Sequence, residues 1–255
     1  MRPIILKYDS LPSTNTEAAN QARLGAAEGL CIVAREQTAG RGRQQRTWVS
    51  PSGAGLYLSI VLRPKLVSHQ WPLITLMTSL AVADTLEQVC GLRSDIKWPN
   101  DVLIDGRKIC GILAETVETE AGRAAIVGIG INLNSNSLPD ELRDIATSVE
   151  DASGQTVDEE VLFSKLLDLF AVRYDALHEF EGTNKLLREW TARSSYAEGK
   201  RVRVSIGDGI VDGTTRGIAS DGALRVETAT GEITLVHAGD VTLSGAPTEG
   251  RPYSG

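Results

Sequence analysis

The sequence predicts an α+β protein in two parts: an α/β unit over about residues 1–197 and a small β-barrel over about residues 198–245. Three observations predict this. Short apolar runs at 30–34, 56–62 and 125–133 read as buried strands. Longer stretches at 74–90 and 161–180 carry apolar residues at helical spacing. After Glu198 the composition turns to short β-rich runs punctuated by Gly207, Gly209, Gly213, Gly217, Gly222, Gly231 and Gly239. Four or five short strands with tight turns suit a small barrel. Residues 246–255 are a tail expected to fray.

Each element has a local reason. Thr14-Asn15-Thr16-Glu17 fits a capping box that opens a helix ending near Gly25. Residues 36–55 show no periodicity and hold four glycines and three arginines after Glu36, which marks a long loop. The helix at 74–90 is stopped by Gly91. A strand over 93–98 ends at Pro99. Asp105-Gly106 signals a tight hairpin between 102–104 and 108–110. Residues 134–157 are polar and irregular. The helix at 161–180 uses Leu162, Leu166, Leu169, Leu177 and Phe180, and 185–193 continues as a second helix.

Composition limits the class of function. The chain has 255 residues, 42% hydrophobic and 23% charged, as an ordinary globular protein does. Its net charge of -7 speaks against coating nucleic acid. Cys31, Cys90 and Cys110 are scattered among apolar neighbours, with no CxxC pair, so they read as core thiols in a reducing cytoplasm. The first residues lack the apolar stretch of a signal peptide, and no apolar run approaches a membrane span.

The common nucleotide and hydrolase signatures fail. There is no GxxxxGK[ST]; Gly40-x-Gly42 is followed by Gln45, and Gly128-x-Gly130 by Leu133, where a dinucleotide fingerprint needs glycine. There is no GxSxG elbow. His69, His178 and His237 stand far apart, which disfavours a histidine triad or metal site.

Four segments carry chemistry. Gly40-Arg41-Gly42-Arg43, continuing to Arg46 and Trp48, combines close backbone approach with permanently charged forks for carboxylate or phosphate. Its alternative is a solvated basic loop or a nucleic-acid contact. Lys97-Trp98-Pro99-Asn100-Asp101 ends a strand in polar groups, and the Asp105-Gly106 turn brings Lys108 back beside them. Lys108 either meets an anion or snorkels to solvent. Ser13-Thr14-Asn15 with Gln37 supplies neutral donors and acceptors, or merely caps a helix. Gly128-Ile129-Gly130-Ile131-Asn132 fits a ligand lying close to a strand, or plain core packing with a turn.

In this order, and with Ser59 and the run Lys108-Ile109-Cys110-Gly111-Ile112-Leu113, these segments resemble the biotin protein ligases over roughly residues 10–245. The resemblance implies a mixed-sheet, biotin/lipoate ligase-like catalytic domain and an SH3-like C-terminal domain. It implies a biotin–[biotin carboxyl carrier protein] ligase, which makes biotinyl-5′-adenylate from biotin and ATP with Mg²⁺. The acceptor would be a lysine of a biotin carboxyl carrier protein or carboxylase biotin domain. Ser13, Thr14, Asn15 and Gln37 would hold the ureido ring. Arg41, Gly42, Arg43 and Lys108 would meet the biotin carboxylate and phosphate, Trp48 and Asn132 the nucleotide, and Asp101 the transfer site. No protein side chains are expected to hold the metal, which would travel with ATP. Residues 134–150 are similar to the family's adenylate-covering loop. The ligase motifs begin at Ser13, so no repressor activity is expected. The resemblance allows a monomer or a homodimer and implies no nucleic-acid or membrane partner. A lipoate–protein ligase, a nucleic-acid-binding module and a non-catalytic biotin sensor remain the alternatives.

Overall fold

The computed structural model describes residues 3–207 and 209–243, so the tail expected to fray lies outside the described residues. The chain begins with strand β1 (Ile4–Tyr8), helix α1 (Thr14–Arg23), β2 (Leu30–Ala34) and β3 (Gly55–Leu62). Then follow α2 (Leu73–Cys90), β4 (Asp95–Lys97), β5 (Asp101–Ile104), β6 (Arg107–Thr119) and β7 (Gly122–Asn132). The short α3 (Val149–Ser153) leads to α4 (Glu159–Leu177) and α5 (Gly182–Arg193). The chain then forms β8 (Glu198–Ile206), β9 (Gly209–Ile218), β10 (Leu224–Glu227), β11 (Ile233–Val236) and β12 (Asp240–Leu243).

The first seven strands form one mixed sheet in the order β1-β2-β3-β7-β6-β5-β4. Only β1 and β2 run parallel, and the other pairs are antiparallel. Strand β1 was not foreseen. Its run Ile-Ile-Leu is short, and Ile4, Ile5 and Leu6 all stay exposed at the sheet edge. The Asp105-Gly106 turn closes β5 onto β6 with φ of 50° and 77°, the left-handed pair that a two-residue hairpin requires.

Alternation sorts the residues of the sheet between two faces. Leu56, Leu58, Ile60, Ile112, Val127, Ile129 and Ile131 face α2 and α4 in the main core. Val61, Val117, Ala124 and Ile126 face α1 in a smaller cluster with Ala18 and Ala22. On that second face the same alternation places Tyr57, Ser59, Gly111, Leu113, Glu115, Gly128, Gly130 and Asn132. The row Tyr57–Gly130–Gly111 and the row Ser59–Gly128–Leu113 therefore run across three strands without bulk at their centres.

Helix α2 is apolar almost all round, because it is buried almost all round. The segment Ser68–Cys90 is long and apolar enough to cross a membrane, contrary to the sequence reading, but it lies mostly inside the protein core. Gly91 ends it in the left-handed conformation at φ 66°. Cys31 and Cys110 are buried as expected, whereas Cys90 in the last turn is only half-buried. Phe180 is 95% exposed and lies beyond α4, so it is no part of the core.

The last five strands form an antiparallel sheet ordered β11-β10-β9-β8-β12. Among the described residues its edges β11 and β12 do not pair, so the expected barrel is an open sheet. Val202, Val204, Leu224, Val226, Val236 and Val241 join the main core of the first sheet.

Candidate active site

The site lies on the α1 face of the large sheet, where α1, residues 36–50 and the glycine rows meet. Ser13, not Thr14, caps α1: its Oγ accepts from Thr16 N at 3.5 Å, and Ser13 is buried. The N-cap therefore lies one residue earlier than expected, with Thr16 instead of Glu17 at the third helical position, which leaves Thr14 free of the capping role. Thr14 donates through both N, at 2.9 Å, and Oγ1, at 3.1 Å, to Gln37 Oε1. Gln37 Nε2 donates to Ser50 Oγ at 2.8 Å, and Ser50 Oγ to Trp48 O at 3.1 Å. A helix terminus and the arginine loop are thus tied together through one amide side chain.

Asn15 extends the network in the other direction. Its Nδ2 donates to Glu115 Oε2 at 2.9 Å and to Leu113 O at 3.2 Å. The Ser59 hydroxyl stands 2.8 Å from Thr14 Oγ1 and 2.6 Å from Asn15 Oδ1, and its single hydrogen can serve only one of them at a time. Gly128 permits this arrangement, because a Cβ there would overlap Asn15 Oδ1. Arg41 joins through an ion pair with Glu115 Oε1. Thr14, Asn15, Gln37 and Arg41, which the sequence placed in two segments, form one polar network, while Ser13 caps the helix that carries Thr14 and Asn15.

The arginine loop is a tight hairpin rather than an irregular segment. Trp48 N donates to Gly40 O at 2.9 Å and Gly42 N to Arg46 O at 2.7 Å, with Gln44 and Gln45 at positive φ at its tip. Gly40 is required, since a Cβ would strike the Trp48 carbonyl. The indole of Trp48 lies flat on the glycine row: a Cβ on Gly130 would come within 2.5 Å of the ring, and one on Gly111 within 2.8 Å. Its Nε1 is buried and has no hydrogen-bond partner among the described residues.

The cations converge beside it. Lys108 Nζ lies 2.7 Å from Asp101 Oδ1 and 5.4 Å from the centre of the Trp48 ring. Asp101 Oδ1 is buried and accepts no well-aligned hydrogen bond, so the contact is an ion pair. Lys108 is thus ion-paired within the protein, with its side chain still 31% exposed. Arg43 Nη1 donates to Asn100 Oδ1 at 3.1 Å, on the residue next to Asp101. Burial pushes the Arg43 pKa below its ordinary value, while Asp240 and then Asp101 oppose the shift. Arginine still keeps its charge at neutral pH.

Residues 38–47 with Leu113 and Glu115 line an open cleft of about 700 Å³, with Arg41, Gly42 and Arg43 on its wall. Lys108, Asp101 and Trp48 stand next to this cleft's arginines and are not on its wall. Asn132 is not brought to it. That side chain is buried, and its Nδ2 donates to Thr147 O at 3.0 Å. The Lys108 backbone holds the same segment, accepting from Thr147 N and donating to Ile145 O, both at 2.9 Å.

Sequence reasoning assigned no role to Glu115, Asn100, Ser50 or Asp240. Glu115 was within reach: it shares a face with Gly111 and Leu113 by simple alternation. Asp240, which pairs with Arg46 from 194 residues away, left no sequence signal.

Among the described residues no cluster of three or more His, Cys, Asp or Glu side chains could hold a metal. A Mg²⁺ ion would enter as part of the nucleotide substrate, keeping its phosphate and water ligands.

Residues 8–132 match the biotin/lipoate A/B protein ligase family, and residues 199–244 the biotin protein ligase C terminal domain. The bifunctional ligase/repressor BirA of Bacillus subtilis (strain 168) is 40% identical over 245 residues, covering 94% of this chain and 74% of the relative. The biotin–[acetyl-CoA-carboxylase] ligase of Paracoccus denitrificans is 37% identical, covering 83% of this chain and 89% of the relative. The structure of the biotin protein ligase from Aquifex aeolicus in complex with biotin and ATP superposes with a TM-score of 0.82 at 28% identity, covering 94% of this chain and 97% of that one.

Proposed function

This chain belongs to the biotin protein ligase family, and from that premise we infer what each part of its site does. It activates biotin with ATP and transfers the biotinyl group to a carboxylase biotin domain. The observation that carries the assignment of roles is the meeting of Arg43 and Lys108 on the neighbouring residues Asn100 and Asp101.

In the first step a biotin carboxylate oxygen bonds to the α-phosphorus of ATP, and pyrophosphate leaves. Both reactants are anions. Two unit charges 4 Å apart repel by about 4 kcal/mol at an effective dielectric of 20. Arg43, Arg41 and Lys108 offset that repulsion, and they strengthen as the site closes and water leaves. Lys108 exchanges its Asp101 partner for the ligand's carboxylate and phosphate. The Thr14, Asn15 and Gln37 network, anchored by Ser13, offers acceptors and donors to the ureido ring. The lone hydrogen shared at Ser59 leaves that network an acceptor to spare. Trp48, lying on the Gly111–Gly130 row, moves to close against the adenine. Asn132 acts on the nucleotide through the segment it holds at Thr147.

In the second step the acceptor amine bonds to the acyl carbon and AMP leaves with the bonding pair. That amine has an ordinary pKa near 10.4 and must first lose its proton. Asp101, once Lys108 has turned to the ligand, orients the ammonium or takes its proton.

The test is incubation with biotin, MgATP and a carboxylase carrier domain, followed by mass measurement. The carrier gains one biotinyl group at a single lysine. An unmodified carrier without biotin-dependent pyrophosphate exchange would refute the assignment.

A further inference from the structure

The arginine loop is held on a side that the chemistry above does not use. Arg43 Nη1, besides its bond to Asn100, donates to Gly239 O at 3.3 Å. Arg46 forms an ion pair with Asp240. Both acceptors stand where β12 begins, in the C-terminal sheet. Asp240 also opposes the desolvation of Arg43 more strongly than Asp101 does.

The packing of the second sheet fixes both acceptors. Gly239 has φ +156°, and a Cβ there would come within 2.8 Å of Ser205 O and of Val204 Cγ1. Only glycine lets the chain close this tightly on β8, where Asp240 pairs with Ser205. The second sheet is in turn fixed to the first: Trp98 Nε1 donates to Gly222 O at 3.0 Å, and their cores merge. The loop is thus gripped by the end of the β11–β12 connection and the first residue of β12, both packed on β8.

We propose that Asp240 is a positioning residue for the ligand site: with the Gly239 carbonyl it clamps the arginine loop, so that Arg43 is seated on Asn100 before any ligand arrives. The C-terminal sheet then sets the order of a loop that belongs to the other sheet. Pre-seating lowers the ordering cost of binding. The proposal rests on reading residues 40–48 as the ligand loop, but its structural half is independent of which ligand that is.

Two measurements on Asp240→Asn separate these halves. Hydrogen exchange of the ligand-free full chain reads the clamp directly. Exchange at residues 40–48 is expected to be about fivefold faster, the upper range for a partly exposed ion pair, with β7 unchanged. In biotin-dependent pyrophosphate exchange KM for MgATP is expected to rise about three- to fivefold at constant kcat. Asp240→Glu, which keeps the charge, is expected to recover most of both. Unchanged exchange at 40–48, or faster exchange spread equally into β7, overturns the clamp. A constant KM overturns its role in binding. Absence of pyrophosphate exchange in the unmodified protein would instead overturn the ligase reading and leave the loop result standing.

Discussion

Gly128 and Asn15 illustrate how one atom decides the site. The carboxamide of Asn15 occupies the space that any side chain at 128 would need. Gly128→Ala must push the amide off Ser59 and Glu115. We predict a rise of about tenfold or more in KM for biotin, the cost of roughly one charge-assisted hydrogen bond, with kcat for pyrophosphate exchange much less affected. An unchanged KM would place the ureido ring elsewhere. The cysteines give a second test at this scale. Burial pushes the Cys31 thiol up to about 12 and Cys110 further in the same direction, while Cys90 is raised but half-buried. The native protein should expose one reactive thiol, Cys90, to an alkylating reagent at pH 8. The sign for stability follows from linkage. The folded thiols stay protonated while those of the unfolded chain ionise from about pH 8.5, so their contribution is full below that pH. It is lost as pH rises toward 12. Stability that rises between pH 9 and 11 would contradict this. Residue chemistry was the most legible level of the sequence: the arginine loop, Lys108, Ser13, Thr14, Asn15 and Gln37 are all brought into one neighbourhood. Asn132 is the exception, because a strand ending in Asn does not tell which way the amide turns.

At the scale of elements, two segments without periodicity turned out to be ordered by bonds that periodicity cannot report. The loop at 40–48 is a hairpin held by Gly40 and by Gln37. The segment after β7 is pinned to the Lys108 backbone and to Asn132. Asn132→Ala removes the second of these ties and leaves the Thr147 carbonyl unpaired in a buried place. The expected outcome is a loss of about 1–3 kcal/mol and faster hydrogen exchange over residues 134–148. KM for MgATP should rise with it, since the segment is the proposed nucleotide cover. If exchange quickens while KM stays constant, the segment has no part in binding. Long elements with clear spacing, such as α2 and α4, were legible to within a few residues. Strand β1 was not, because its three exposed apolar residues carry no alternation to read. The barrel was overdrawn for a related reason: glycine spacing counts strands but says nothing about whether the two edges meet.

For the whole molecule, the two sheets share one apolar core, and the clamp at Asp240 joins them again at the active site. The composition shift near 198 marks where the second sheet starts, yet it hides how little that sheet stands alone. We predict a single unfolding transition, with calorimetric and van't Hoff enthalpies in agreement. A chain cut after residue 197 should fail to fold, because the apolar core it shares with Val204, Leu224 and Val241 would be opened and Trp98 would lose its bond to Gly222. Two resolved transitions would argue for independent domains. In the proposed site, cations from two separate segments act as one unit on one pair of anions. A double-mutant cycle in biotin-dependent pyrophosphate exchange tests it most directly, using Arg43→Ala, Lys108→Ala and the pair together. Each single change is expected to cost about 100-fold or more in rate, and the double variant to be little worse than the poorer single one. Two losses that simply multiply, or a Lys108→Ala enzyme that exchanges pyrophosphate normally, would contradict it.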